Sequence, residues 1–122
     1  MKLMNNQNQK IHLSVIIPAY NEEKRLPKTL REINDYLKKQ SYLSEIIVVN
    51  DGSTDRTSEV VKELQKIIPN LKLINIENSG KGYAVKKGIL EAKGGKHYII
   101  IYLLGVLVYS VLVSGRFILF LL

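Results

Sequence analysis

Residues 46–55 read Ile-Ile-Val-Val-Asn-Asp-Gly-Ser-Thr-Asp, a run of four apolar residues that ends in a polar turn. A short β-branched run is typical of a buried strand, and the polar residues that follow are typical of a loop. A short β-branched run also occupies 13–17, which Pro18 stops. Residues 71–76 have the character of a third strand, which a loop of small residues follows. We therefore predict strands at about residues 12–18, 45–50 and 71–76.

The segments between these strands have the apolar spacing of helices. The first helix presents apolar residues at spacings of four, three and four, namely Leu26, Leu30, Ile33 and Leu37, and has Pro27 in its first turn. The second is expected to pack through Val60, Val61, Leu64, Ile67 and Ile68. A third helix is predicted over about 83–93. Strands that alternate with helices indicate an α/β fold, a Rossmann-like parallel sheet with flanking helices.

Length and composition set the domain organisation and the class of partner. A chain of 122 residues allows one domain, which we divide into a polar amino-terminal tail at 1–10, a half-domain at 11–97 and a hydrophobic tail at 98–122. The net charge of +7 favours anionic partners. The lysines are scattered without interleaved aromatic residues, so we predict no nucleic-acid binding. The absence of cysteine excludes disulfides and thiolate catalysis.

Residues 98–122 are almost wholly apolar, with Arg116 their only charge. Two interpretations are open: a transmembrane helix, or a fourth strand at 98–102 followed by unnatural sequence. In the first, the lysines before this segment place the βαβ region on the cytoplasmic side of a membrane. In the second the protein is cytoplasmic, since residues 1–10 lack the apolar core of a signal peptide.

Three polar clusters follow the predicted strands, at residues 18–23, 50–53 and 79–82. Ligands of open parallel sheets bind outside the carboxyl ends of the strands, so the clusters are expected to converge on one site. Each also has a structural explanation. The first can be a strand terminator, the second a turn that satisfies backbone N–H groups, and the third a tight entry into a helix. The phosphate-loop motif of ATPases is absent, because Gly82 follows Lys81 and position 75 is not glycine.

The order and spacing of three motifs carry a family resemblance. They are Val-Ile-Ile-Pro-Ala-Tyr-Asn-Glu-Glu at 15–23, Ile-Ile-Val-Val-Asn-Asp-Gly-Ser-Thr-Asp-Arg-Thr at 46–57 and Asn-Ser-Gly-Lys-Gly-Tyr-Ala at 78–84. Residues 13–96 resemble the amino-terminal half of family-2 glycosyltransferases of the GT-A fold, closest to those that glucosylate or mannosylate dolichyl phosphate. The resemblance implies a nucleotide pocket formed by the first two motifs, with Pro18, Ala19, Tyr20, Glu22 and Asp51 as its contacts.

Elementary chemistry agrees with this assignment. The Asp51 carboxylate can accept hydrogen bonds from a base or a ribose, and Tyr20 offers an aromatic wall. Lys81, beside the N–H groups of a helix start, can neutralise a diphosphate. No catalytic residue is nominated, because a lipid phosphate acceptor is already ionised.

The resemblance also implies Mg²⁺ or Mn²⁺, bound through an Asp-x-Asp motif after the fourth strand. The chain has no aspartate after Asp55 and no acidic residue after Glu91, so no metal ligand is predicted. Two explanations are open. A shifted reading frame or a truncated gene replaced the second half of the glycosyltransferase with the hydrophobic tail, or the chain is a membrane-anchored module that gains its metal site from a second polypeptide. We favour the first explanation.

The predicted function is transfer of a hexose from a UDP- or GDP-sugar to a polyprenyl phosphate of the dolichyl type, by a protein that is truncated and inactive alone. The alternative is a non-enzymatic, membrane-anchored nucleotide-binding or interaction module, whose basic surface meets membrane lipid.

Overall fold

The computed structural model describes residues 10–93, 97–102, 108–113 and 116–121. Its elements, in chain order, are β1 Leu13–Ala19, α1 Leu26–Lys38, β2 Ser44–Asp51, α2 Thr57–Gln65, β3 Leu71–Ile76, α3 Lys81–Glu91, β4 His97–Tyr102, β5 Val108–Val113 and β6 Arg116–Leu121. Strands and helices alternate from β1 to β4. The predicted α/β architecture and its first three strands are therefore confirmed.

The described strands form one sheet in the order β3-β2-β1-β4-β5-β6. β1 pairs in parallel with β2 on one side and with β4 on the other, and β2 pairs in parallel with β3. The register places Ile17 opposite Val48, and Val48 opposite Leu73. Because these strands run in the same direction, the loops that follow β1, β2 and β3 leave the sheet at one edge, called here the carboxyl edge.

The sheet buries apolar side chains on both faces, as expected for parallel strands. On one face, Val15, Ile17 and Val48 belong to a core that includes α1 and α2. The helices contribute the predicted residues Leu26, Leu30, Leu37, Val61 and Leu64, and the predicted residue Ile68 joins this core from the segment just after α2. On the other face, Ile47 and Val49 pack against Ala84 of α3. Alternate residues of β2 thus hold helices on opposite sides of the sheet.

A glycine brings α3 close to the sheet. A Cβ atom at Gly88 would lie 2.5 Å from Cγ2 of Ile16 and 3.3 Å from Cγ2 of Val49. The first distance is shorter than any van der Waals contact, so α3 can take this position only with a residue that lacks a side chain here.

Two details of the predicted helices are corrected. Ile67 does not belong to the packing stripe of α2: the helix ends at Gln65, and Ile67 is 63% exposed in the turn that follows. The third helix begins at Lys81, two residues before the predicted start, because Gly80 with φ +93° ends the preceding loop.

The described part of residues 98–122 lies in β4, β5 and β6, the last two of which pair antiparallel. Residues 103–107, 114–115 and 122 lie outside the described residues. In the part of the chain that the structure covers, no helix has the length and apolar character needed to cross a bilayer. The membrane helix, the frameshift and the cytoplasmic placement stay predictions.

We expect Gly88→Ala to destabilise the fold, because its Cβ collides with Ile16 and forces α3 from the sheet. The free energy of unfolding should fall by about 1–3 kcal/mol, the usual cost of overpacking a core. Chemical denaturation followed by circular dichroism measures it.

Gly82→Ala is the matched control, since a Cβ at this position of the same helix meets nothing within 4 Å. Alanine favours a helix over glycine, so this variant should be as stable as the parent or more so. An equal loss of stability in both variants would show that the close approach of α3 to the sheet is not the reason that Gly88→Ala is destabilising.

Candidate functional site

Asn21 joins the loop after β1 to the loop after β2. Its side-chain Oδ1 accepts the backbone N–H of Thr54 at 2.8 Å and that of Asp55 at 3.3 Å. In return, its own backbone N–H donates to Oγ of Ser53 at 3.0 Å. Asn21 has φ +53°, a left-handed conformation that asparagine tolerates better than most residues.

Glu22 and Glu23 continue this junction through their backbone. The N–H of Glu22 donates to Oγ1 of Thr57 at 2.9 Å, and the N–H of Glu23 donates to Oδ2 of Asp55 at 3.2 Å. Asp55 also accepts the N–H of Thr57, the first residue of α2, at 2.9 Å. Asp55 thus satisfies backbone N–H groups, as the structural explanation of this turn expects, although the N-cap residue of α2 is Arg56, which forms no side-chain cap hydrogen bond.

The hydrogen bonds to Asp55 favour its ionised form. Burial alone would raise the pKa of this carboxyl, but donation from the hydroxyl and N–H of Thr57 and from the N–H of Glu23 holds the pKa below its usual value. The turn therefore carries a negative charge at neutral pH, which is stabilised from both loops.

Asp51 joins the loop after β2 to the loop after β3. Its two carboxylate oxygens accept the backbone N–H of Ser79 at 2.8 Å and of Gly80 at 3.0 Å. Next to it, Gly52 has φ +67°, and a Cβ there would lie 2.7 Å from the backbone nitrogen of Asn78. The two loops are thus in contact, and Gly52 is required both by its conformation and by this contact.

The six predicted nucleotide-binding residues lie at the carboxyl edge but differ in exposure. Tyr20 is 44% exposed, and Lys81, the first residue of α3, is also exposed. The other four are buried, namely Pro18, Ala19, Glu22 and Asp51. The Glu22 carboxylate forms a two-pronged ion pair with the guanidinium of Arg25, at 2.8 and 3.1 Å. Tyr20 and Lys81 are therefore the two exposed residues of the six.

A cavity of about 370 Å³ opens beside these loops. It is lined by Asn21, Glu22, Glu23, Lys24, Arg25 and Asp55. Of the six predicted residues, only Glu22 belongs to this lining, so the cavity does not contain Tyr20, Asp51 or Lys81.

The donor set for a divalent cation is incomplete in the residues that the structure describes. Among them, no three histidine or carboxylate side chains lie close enough together to hold a metal ion. Asp51 and Asp55 are near the site, but in the described part of the chain no group of three such side chains includes them. The residues present do not fit the Mg²⁺ or Mn²⁺ site that the resemblance implies.

Sequence reasoning missed the residues that assemble the edge. Asn50 donates from Nδ2 to Oδ1 of Asn75 on β3 at 2.9 Å, and its own Oδ1 accepts the N–H of Ser53. Asn21 and Thr57 have comparable roles, described above. Their signal in the sequence was the density of Asn, Ser and Thr after each strand, which favours side-chain bonds to backbone groups but does not identify their partners.

Comparison with known proteins identifies the family. Residues 14–103 match the model of glycosyl transferase family 2. The dolichyl-phosphate beta-glucosyltransferase ALG5A of Trichomonas vaginalis is 49% identical over 90 residues, which cover 69% of this chain and 28% of the relative. The chain therefore spans less than a third of the length of this relative.

Solved structures agree in fold. Residues 1-349 of S. aureus TarS, in complex with UDP-GlcNAc, superpose with a TM-score of 0.64 at 30% identity, over 75% of this chain and 26% of that TarS chain. The mannosyltransferase PcManGT from Pyrobaculum calidifontis, in complex with GDP-Man and Mn²⁺, gives a TM-score of 0.57 at 28% identity, over 78% of this chain and 28% of its own. The βαβ region has the GT-A architecture, and the chain belongs to glycosyl transferase family 2.

Proposed function

We propose that this chain is the donor-binding part of a glycosyltransferase that moves a hexose from a UDP- or GDP-sugar to a polyprenyl phosphate. The observation that carries the proposal is the junction of three loops at the carboxyl edge, which leaves Tyr20 and Lys81 exposed beside it. This is the edge at which open α/β sheets bind ligands.

The start of α3 is suited to a diphosphate. Lys81 is the first residue of this helix, where backbone N–H groups lack intrahelical partners and the helix dipole is positive. An exposed ammonium next to such N–H groups attracts an anion through both charge and hydrogen bonds. Tyr20, exposed at the end of β1, offers an aromatic surface for a base.

Asp51 contributes in two ways under this proposal. Two acceptor positions of its carboxylate are used by Ser79 and Gly80, and a carboxylate has about four, so further positions remain for a base or ribose. Its bonds to the third loop also fix the residues just before Lys81. We therefore expect Asp51 to act both as a contact and through the loop it holds.

The proteins that this chain resembles support the donor class and the acceptor class. The TarS structure contains UDP-GlcNAc, the PcManGT structure contains GDP-Man, and ALG5A is named as a dolichyl-phosphate beta-glucosyltransferase. On this basis we propose UDP- or GDP-linked hexose as donor and a dolichyl-type phosphate as acceptor. The transfer itself requires a metal site that the residues described above do not provide.

The first test is charge removal at the start of α3. Lys81→Met should weaken UDP binding about tenfold, because one charge-assisted contact to the diphosphate is lost, and should leave uridine binding unchanged. Isothermal titration with both ligands measures the difference.

Lys86→Met is the control, an exposed lysine five residues further along the same helix. It should bind UDP as the parent does. Equal losses of UDP affinity in both variants would show that Lys81 contributes only through the general positive charge of the surface. A parent chain indifferent to uridine and guanosine nucleotides would overturn the proposal and favour a non-enzymatic interaction module.

The second test separates Asp51 from other carboxylates. Asp51→Ala should abolish measurable affinity for both UDP and uridine, since it removes an acceptor and also frees the loop before Lys81. Asp35→Ala, at an exposed site on α1, should leave affinity unchanged. Circular dichroism verifies that both variants fold, and retained affinity in folded Asp51→Ala would count against the site.

The third test concerns turnover. The purified 122-residue chain, supplied with Mn²⁺ or Mg²⁺, a nucleotide sugar and polyprenyl phosphate, should form no glycolipid, because the chain has no acidic residue after Glu91 to supply an Asp-x-Asp motif. A radiolabelled sugar and lipid extraction measure the product. Product above that of heat-inactivated chain would show that our requirement for this motif is wrong.

A further inference from the structure

Glu45 is a buried carboxylate at the opposite end of β2 from Asp51. It is 1% exposed, although glutamate is almost never fully buried without a partner. It accepts hydrogen bonds from Oγ of Ser14 at 2.7 Å and from Nζ of Lys72 at 2.6 Å. Its third donor is the backbone N–H of Lys93, just beyond the end of α3. Glu45 thereby connects three strands with that helix end.

Glu45 and Asp51 lie on the same face of β2. They are six residues apart, and an even separation along a strand puts side chains on one face. Between them, Ile47 and Val49 pack against α3. Six strand residues span about 20 Å, and the 11 residues of α3 span about 16 Å. The segment of β2 from Glu45 to Asp51 is therefore long enough to run beside the whole helix, and a carboxylate at each of its ends accepts backbone N–H groups that flank α3.

The location of Glu45 is costly in itself. The carboxyl end of a helix carries partial negative charge, so the helix dipole disfavours a carboxylate there, and burial disfavours any charge. Burial would raise the pKa of Glu45, yet the bonds from Lys72, from the Lys93 N–H and from Ser14 hold the pKa below its usual value. The side chain is thus charged at neutral pH and fixed by three donors.

We propose that Glu45 is a positioning residue for the nucleotide site, which sets the place of α3 and so the place of Lys81 at its other end. This inference rests on the function proposed above for Lys81. A helix is stiff along its axis, and Gly88 lies close to Ile16, so we expect a shift of the carboxyl end of α3 to move its first turn as well. A buried apolar residue at position 45 would fill the same space, but it would have no acceptor for the N–H of Lys93 and so would not fix the place of α3.

The test compares Glu45→Gln with Glu63→Gln in the full 122-residue chain. Glu63 pairs with Lys66 on the exposed side of α2, so its substitution removes an ion pair of no consequence for α3. In Glu45→Gln we expect hydrogen exchange of the Ser79, Gly80 and Ala84 amides to quicken about tenfold, and the Kd for UDP to rise about three- to tenfold. In Glu63→Gln neither quantity should change.

If Glu45→Gln does not fold, Ser14→Ala removes one donor to the same carboxylate and should produce smaller shifts of the same sign. A folded Glu45→Gln or Ser14→Ala with parental exchange at residues 79–84 overturns the positioning role. Exchange that quickens while the Kd for UDP stays parental also overturns it. If the parent itself binds no UDP, the proposed function fails, while the exchange rates still decide whether Glu45 sets the place of α3.

Discussion

The hydrogen bonds from the N–H groups of Ser79 and Gly80 to the Asp51 carboxylate are the contacts on which the candidate site depends. They connect the end of β2 to the loop between β3 and α3, and their partners are 28 and 29 residues apart in the sequence. Beside these bonds, Gly52 lies close to the backbone of Asn78, so the two loops also pack against each other. Asn21 joins the loop after β1 to the loop after β2, because its side chain accepts the N–H groups of Thr54 and Asp55.

Much of the fold follows from local sequence. Apolar β-branched runs that stop at a proline or a polar turn identify β1 and β2, because a parallel strand buried on both faces has no alternation to obscure it. β3 lies at the side of the sheet and is only partly buried, and polar residues interrupt its apolar ones. The spacing of Leu26, Leu30 and Leu37 identifies α1 because those residues share one helical face. The convergence of three loops follows from topology alone, once the strands are parallel.

The remaining features depend on partners distant in sequence. Asp51 resembles any turn aspartate until β3 brings Ser79 beside it, and Glu45 resembles a polar residue at a strand boundary until α3 covers it. Ile67 continues the apolar period of α2, but the chain leaves the helix two residues earlier to enter β3. Local pattern gives the type of element, whereas tertiary contact decides its last turn and the partner of each polar group.

The side chain of Asn21 bonds to backbone groups of a neighbouring loop instead of its own. Loops built in this way lose conformational freedom when the domain folds, before any ligand arrives. A nucleotide that binds there has less disorder to remove from the protein, so a larger part of its interaction energy is expressed as affinity. The conformational entropy of the loops at the carboxyl edge is thus lost when the domain folds, and it is not lost again when a ligand binds.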